Sequence, residues 1–385
     1  MTMPHQPIRL ALFGGGPGAF IGAVHWRAAM LDRRFELVAG AFSRDAARSA
    51  QQARALNVAE DRAYTSVDAL IAAEALRSDG VQAVAIATPN DSHFEIASAA
   101  LKAGLHVICD KPMTATLDQA RALAEIVRGG ESVYALTYTY TGYAMIREAR
   151  AMVAAGDIGQ VRKIVVTYPQ GWLASAIESE VAGAAWRTDP ARAGIGGCIG
   201  DIGVHAFQAA EYVSGLRVDR LCADLSSVVE GRALDDDCNI LLRFEGGVPG
   251  VLMVSQISLG ERNSLTIQVY GNERSIMWKH DTPDELQILH ADNRRETRFA
   301  GSPAVGPAAV AASRLPTGHP EGFVEAFANL YGDFAQAIAG ERTLLDNQLP
   351  SAGEGVRSLL FIDRAVRSAR DQCWINLRET DHENA

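Results

Sequence analysis

Over its first 138 residues the chain alternates short apolar runs with amphipathic stretches. The runs Ile8–Phe13, Glu36–Phe42, Ala83–Ala87, His106–Cys109 and Ser132–Tyr138 predict strands. They are too evenly apolar to alternate by face, as expected of strands covered on both sides. Between them, Gly22–Leu31, Asp45–Leu56, Ser66–Arg77, Ser92–Ala103 and Thr116–Arg128 predict helices. Strands alternating with helices argue an α/β unit, a doubly wound parallel sheet with helices on both faces.

The pattern changes after Tyr138. One helix over Met145–Ala155 ends at Gly156-Asp157-Ile158-Gly159. Strand-like runs follow at Val161–Tyr168, Cys238–Phe244, Val248–Ser258, Ser264–Tyr270 and Arg274–Trp278. Their turns carry Gly-Gly, Gly-Asn and Pro-Gly signals. This predicts a second α/β domain with a large, mostly antiparallel open sheet. Residues 301–320, rich in Ala, Pro and Gly, predict a surface loop, and helices near Gly322–Ala339 and Ala352–Ala369 close the chain. The expected division is 1–138 and 139–385, with the closing helices over 322–369 packing back on the first domain.

Composition narrows the partners. With 385 residues, 48% of them hydrophobic, each domain can build its own core. The net charge of −10 repels phosphate backbones and there is no basic stripe, which argues against nucleic acid. No apolar run is long enough to span a bilayer. The first residues are too short for a signal peptide, so a cytoplasmic protein without membrane partners is expected. The five cysteines are scattered and never spaced as C-x-x-C, which argues against a disulfide framework or structural zinc. His93, His106, Cys109 and His205 have the wrong spacing for zinc, so no metal site is expected.

Candidate chemistry begins at Gly14-Gly15-Gly16-Pro17-Gly18-Ala19-Phe20-Ile21-Gly22, directly after the first strand. Gly14 and Gly16 let backbone approach a pyrophosphate. Phe20 and Ile21 lie where the following helix offers free N–H groups. No Lys-Ser/Thr pair follows, so this is not a P-loop. The second strand ends at Ser43-Arg44, which suits the 2′-phosphate of NADP better than the ribose hydroxyl of NAD; a solvated surface charge is the plain alternative for Arg44. Thr88, Pro89 and Asn90 follow the third predicted strand, at the carboxyl edge where open α/β sheets bind ligands. His93 is placed nearby, although such a histidine is more often a packing or capping residue. Lys111 lies just past the fourth strand, where an ammonium can stabilise a substrate oxygen.

The second domain contributes Gly194-Ile195-Gly196-Gly197-Cys198-Ile199-Gly200-Asp201-Ile202-Gly203-Val204-His205. A helix starting near Asp201 puts Asp201 and His205 on one face. With Lys111, they form the set needed to deprotonate an alcohol while hydride leaves its carbon. Trp172 and Trp186 offer faces for a sugar ring, and Arg187 suits a hydroxyl or carboxylate. His319 lies in a polar stretch before a predicted helix.

Taken together, these motifs resemble the Gfo/Idh/MocA oxidoreductases over nearly the whole chain. The resemblance rests on the glycine loop, Thr88-Pro89-Asn90 with His93, Asp110-Lys111-Pro112, Gly156-Asp157-Ile158-Gly159 and the Asp201-x-x-x-His205 turn. It implies an N-terminal Rossmann domain binding NAD(P), with Asp110 among the cofactor residues. It also implies a second domain whose sheet face makes a homodimer or homotetramer, and a sugar or cyclitol substrate. Lys111 matches the catalytic lysine of that family; Asp201 and His205 match its substrate-site carboxylate and acid/base histidine. Within the family, an NAD-dependent glycosidase working by transient oxidation and a non-catalytic nucleotide-sensing regulator are the alternatives. Asp110 stands where glutamate is usual, the glycine loop is long between Gly16 and Gly22, and Thr139-Tyr140-Thr141 replaces a frequent arginine. That last departure argues against an acidic substrate.

Overall fold

The computed structural model describes residues 6–378, which divide into two compact units. One comprises 6–142 with 323–356, the other 143–322 with 357–378.

The first unit is built on five parallel strands: β1 (Ile8–Gly14), β2 (Phe35–Ala41), β3 (Ala83–Ala87), β4 (His106–Cys109) and β5 (Tyr134–Leu136). Their order is β2-β1-β3-β4-β5. A single parallel bridge sets Ala63 beside Gly40 of β2, in the place of one further strand. Counting it, the order is that of the six-stranded doubly wound dinucleotide fold. Every residue of β3 and β5 is buried, because helices cover both faces. The helices Phe20–Leu31 and Phe323–Ile338 pack together. Phe327, Tyr331 and Phe334 of the second helix meet His25 of the first and Phe35 of β2.

The second unit is a nine-stranded mixed sheet. Its strands are β6 (Val161–Pro169), β7 (Val218–Ser226), β8 (Asp237–Phe244), β9 (Pro249–Ser255), β10 (Thr266–Gly271), β11 (Arg274–Lys279), β12 (Glu285–His290), β13 (Arg295–Phe299) and β14 (Ile375–Asn376). Their order is β13-β12-β11-β10-β6-β9-β8-β7-β14. All neighbours are antiparallel except β6 and β9. One face is closed by the helices Ala144–Ala154 and Val204–Ser214, whose Ile146, Ala149 and Val213 pack against Ile267, Ile276, Trp278 and Leu286. The residues that alternate with this buried set, among them Val165, Leu241, Val251, Met253, Met277 and Leu289, keep partial or full exposure. Among the described residues no helix is long and apolar enough to cross a membrane.

The expected strands and helices are present, with ends moved by a few residues. β7, β12, β13 and β14 add to the strands read from the pattern. A bulge between Val218 and Arg220 breaks the alternation of β7, and β13, almost wholly polar, lies at the sheet edge. The expected loop at 301–320 contains a short helix, Pro307–Ala311.

Candidate functional site

In the first unit the candidate residues gather at the carboxyl ends of β1 to β4. Gly14 has φ +85°, and a Cβ there would lie 2.5 Å from the Ala87 carbonyl oxygen at the end of β3. At Gly16 a Cβ would lie 2.8 Å from the Phe42 carbonyl oxygen. The helix that follows starts at Phe20, two residues before the expected Gly22, and has no side-chain cap. Its first N–H groups are therefore available to an anion. A glycine cradle opening on an uncapped helix end fits a dinucleotide pyrophosphate. Past β2, Ser43 is half-buried and Arg44 exposed. Asp45 is occupied as the N-cap of the helix Ala46–Ala55, accepting the Arg48 N–H at 2.8 Å.

After β3, the Thr88 hydroxyl accepts from Ser92 at 2.7 Å, and Asn90 is buried. His93 is fully buried; its Nδ1 lies 2.8 Å from the Pro112 carbonyl oxygen and its Nε2 2.8 Å from that of Thr88. Both ring nitrogens face backbone carbonyl oxygens, of which a neutral imidazole can donate to one. His93 braces the two turns that carry Thr88 and Lys111. Lys111 is half-buried just past β4. The Asp110 carboxylate accepts from the Thr137 hydroxyl at 2.9 Å. Behind it stands His25, fully buried, with Nε2 4.0 Å from Asp110 and Nδ1 2.8 Å from the Tyr331 hydroxyl. Burial lowers the His25 pKa to about 4, against an opposing pull from Asp110. The imidazole is therefore neutral, and its Nδ1 shares a hydrogen bond with the Tyr331 hydroxyl.

In the second unit, Asp201 lies in a π-helical turn, Ile199–Gly203, that runs into the α-helix carrying His205. Such turns are rare and recur at functional sites. Asp201 and His205 are both half-buried. Asp201 Oδ2 accepts from Arg187 Nε at 3.1 Å and from Gln256 Nε2 at 2.9 Å. The Arg187 guanidinium lies 4.3 Å from the centre of the Trp186 ring and 5.8 Å from that of Trp172. Trp172 donates to Gln170 Oε1 at 2.9 Å, and Gln170 donates in turn to Asn263. Tyr168 also donates to Asn263, at 2.6 Å. Four of the expected substrate residues, Trp172, Trp186, Arg187 and Asp201, are thus in one polar cluster. His319 is exposed, with Nδ1 3.3 Å from the Pro316 carbonyl, and shares no hydrogen bond with that cluster.

The sequence reading missed Gln170, Gln256 and Asn263. Gln256 was visible only as a polar position inside the apolar run Val248–Ser258. It also missed Asp235, which looks like surface charge within Asp235-Asp236-Asp237. Asp235, Cys198 and Cys238 bring potential ligand atoms within 4.8 Å of one another. The donors around Asp235 are backbone N–H groups and a thiol, a set that suits a carboxylate rather than a cation.

Residues 8–138 match the family model for an oxidoreductase with an NAD-binding Rossmann fold, and residues 146–277 match the GFO/IDH/MocA C-terminal domain. The chain belongs to the Gfo/Idh/MocA oxidoreductases. It is 33% identical over 383 residues to the uncharacterized oxidoreductase YfiI of Bacillus subtilis, covering 97% of this chain and 98% of that one. It is 28% identical to the levoglucosan dehydrogenase of Pseudarthrobacter phenanthrenivorans, over 77% of this chain and 80% of that enzyme. An inositol dehydrogenase homolog from Azotobacter vinelandii, solved with NADH and myo-inositol, superposes with a TM-score of 0.90 at 36% identity, covering 96% and 98% of the two chains. The protein is accordingly a dehydrogenase-type oxidoreductase of this family, with an NAD-binding Rossmann domain.

Proposed function

We propose that the protein is an NAD(P)-dependent dehydrogenase or reductase of a secondary alcohol in a sugar, sugar derivative or cyclitol. The observation that carries this reading is Asp201, held through one oxygen by Arg187 and Gln256 beside two indole faces, four residues before His205. Indole faces suit the C–H faces of a ring. Amides such as Gln170 and Gln256 carry both donors and acceptors, matching the mixed capacity of neighbouring hydroxyls. The inositol and levoglucosan relatives support a neutral polyol.

Bound at the glycine edge by Gly14, Gly16 and the start of the helix at Phe20–Ile21, with Thr88, Pro89, Asn90 and Asp110 at the neighbouring strand ends, the nicotinamide would supply the hydride acceptor or donor. His205 takes the hydroxyl proton in oxidation and returns it in reduction. The Lys111 ammonium stabilises the charge that develops on the oxygen. Asp201, held by Arg187, orients an adjacent hydroxyl. Ser43-Arg44, with Asp45 already used as a cap, favours NADP over NAD. The partly apolar open face of the mixed sheet is the surface for a homodimer or homotetramer.

The test is nicotinamide absorbance with NAD⁺ and NADP⁺ against monosaccharides, glycosides, anhydrosugars and inositols. A rise that is lost in Lys111→Ala is expected. Release of a free sugar with no net nicotinamide change would replace this reading with the glycosidase one. Cofactor binding with silence across the panel would favour a sensor.

A further inference from the structure

We propose that Asp235 is a positioning residue that aims Asp201 and His205, by clamping the entry to the π-helical turn that carries Asp201 and leads into the helix of His205. This rests on the reading of Asp201 and His205 as the substrate-site pair. Asp235 lies between β7 and β8, apart in sequence from the turn. Its Oδ1 accepts the Gly197 N–H at 2.7 Å, and its Oδ2 accepts the Ile199 N–H, also at 2.7 Å. The Cys238 thiol adds a third donor to Oδ2 at 3.0 Å. The backbone completes the clamp, with the Cys198 N–H bonded to the Asp235 carbonyl at 2.8 Å. Three consecutive N–H groups, at 197, 198 and 199, therefore end on one residue.

These N–H groups open the turn that follows. The Gly197 carbonyl accepts the Asp201 N–H at 2.9 Å, and the Ile199 carbonyl accepts the N–H of Val204, five residues on. The phase of the π-turn decides where Asp201 points relative to His205, and Asp235 fixes its first residues. Gly197 is required for the approach, because a Cβ there would collide with the Asp235 carbonyl oxygen. Neighbouring Asp236 is turned to other work: its carboxylate accepts the Val228 N–H at 2.8 Å and the Val229 N–H at 3.0 Å, and pairs with Arg232. The two adjacent carboxylates therefore have separate tasks, and only Asp235 is bonded to the turn.

A misplacement of about 1 Å at a reacting group costs roughly a hundredfold in rate. Asp235→Asn puts an amide N–H against one of the two backbone donors and loosens the clamp. Asp235→Asn is expected to lower kcat by about ten- to a hundredfold while leaving the Kd for NAD⁺ unchanged. In a His205→Ala background the same substitution is expected to cost clearly less than in the wild type, because one of the two groups it aims is gone. A readout free of substrate is the proton NMR titration of the nine histidines, with His205 assigned by its loss in His205→Ala. In Asp235→Asn the His205 titration is expected to move by about half a unit or more while the other resonances hold. Gly197→Ala presses on the same clamp from the opposite side and gives the same pattern if Asp235→Asn does not fold. An unmoved His205 titration with full turnover and a lowered melting temperature would overturn the proposal and leave Asp235 as a purely structural anchor. Equal losses in the wild-type and His205→Ala backgrounds would overturn it as well. Full turnover in His205→Ala alone would remove the acid–base reading itself, and the aiming role with it.

Discussion

The carboxyl edge of the parallel sheet and the polar cluster of the mixed sheet, the two proposed binding regions, are built from different materials. At the parallel sheet the recognising groups are mostly backbone: Gly14 and Gly16 clear the way, and a helix end without a side-chain cap faces outward. Side chains such as His93, fully buried with its ring between the Thr88 and Pro112 carbonyls, serve there as scaffolding. In the mixed-sheet unit the proposed recognising groups are side chains bonded to one another, from Asn263 through Gln170 to Trp172, and from Gln256 and Arg187 to Asp201. A pyrophosphate is the same in every dinucleotide, so backbone and dipole suffice. A polyol differs from its isomers only in the direction of its hydroxyls, which takes oriented side chains.

The widest separation between the two regions is expected from His205→Ala. Loss of the proton acceptor lowers kcat by about 10²- to 10⁴-fold, whereas the Kd for the dinucleotide, measured by fluorescence titration, stays at the wild-type value. A parallel loss of cofactor binding would break the division of labour. Asp201→Asn comes next. It keeps the shape but removes the charge facing Arg187, a contact whose guanidinium side chain is 30% exposed and so partly screened. About ten- to a hundredfold in kcat/KM for the polyol is expected, since a buried polar partner left mismatched costs about 1–3 kcal/mol. An unchanged kcat/KM would place substrate recognition elsewhere in the unit.

The same contrast explains what could be read from the sequence. Backbone recognition leaves a local mark: glycines at fixed offsets between an apolar run and a helix pattern. The parallel sheet and its edge were therefore legible from Gly14, Thr88 and Lys111. The proposed Asp201/His205 pair could be picked out because the two residues lie four apart along one stretch of chain. Its supports were not, because Arg187, Gln256 and Asp235 come from separate elements and meet only when the sheet has formed. The expectation of an ordinary helix at Asp201 missed the π-turn, since nothing in the i,i+4 spacing registers one extra residue in the hydrogen-bonded ring. His25 was hidden for the opposite reason. It sits inside an apolar helix, and its partners Tyr331 and Asp110 are far along the chain.

That buried histidine gives the parallel-sheet unit an acid sensitivity of its own. His25 stays neutral in the fold down to about pH 4, whereas an unfolded histidine takes up a proton near 6.5. Because the folded value is the lower one, its contribution is complete above pH 6.5 and is lost as the pH falls toward 4. Between pH 7.5 and 5.5 this amounts to about 1 kcal/mol. His25→Gln keeps a hydrogen-bonding group for Tyr331 and removes the titration. Urea unfolding at the two pH values should therefore show a smaller acid loss in the variant, by about that amount. Equal losses would mean that His25 does not govern the acid limb.

The smallest expected effect tests whether a side chain matters at all on the backbone-dominated edge. Arg44 is exposed beyond β2, and the nearest carboxylate in sequence, Asp45, is bound to the Arg48 N–H. A solvent-exposed guanidinium meeting a 2′-phosphate is screened, so its worth is that of a surface ion pair. Arg44→Ala should then lower the ratio of kcat/KM for NADP⁺ over NAD⁺ by about threefold, with the NAD⁺ value itself unchanged. A second arm at high salt should compress the wild-type ratio in the same direction, because screening acts on the same contact. If neither the substitution nor salt moves the ratio, Arg44 is a solvated charge, and cofactor choice at this edge is made by the backbone, as pyrophosphate binding is.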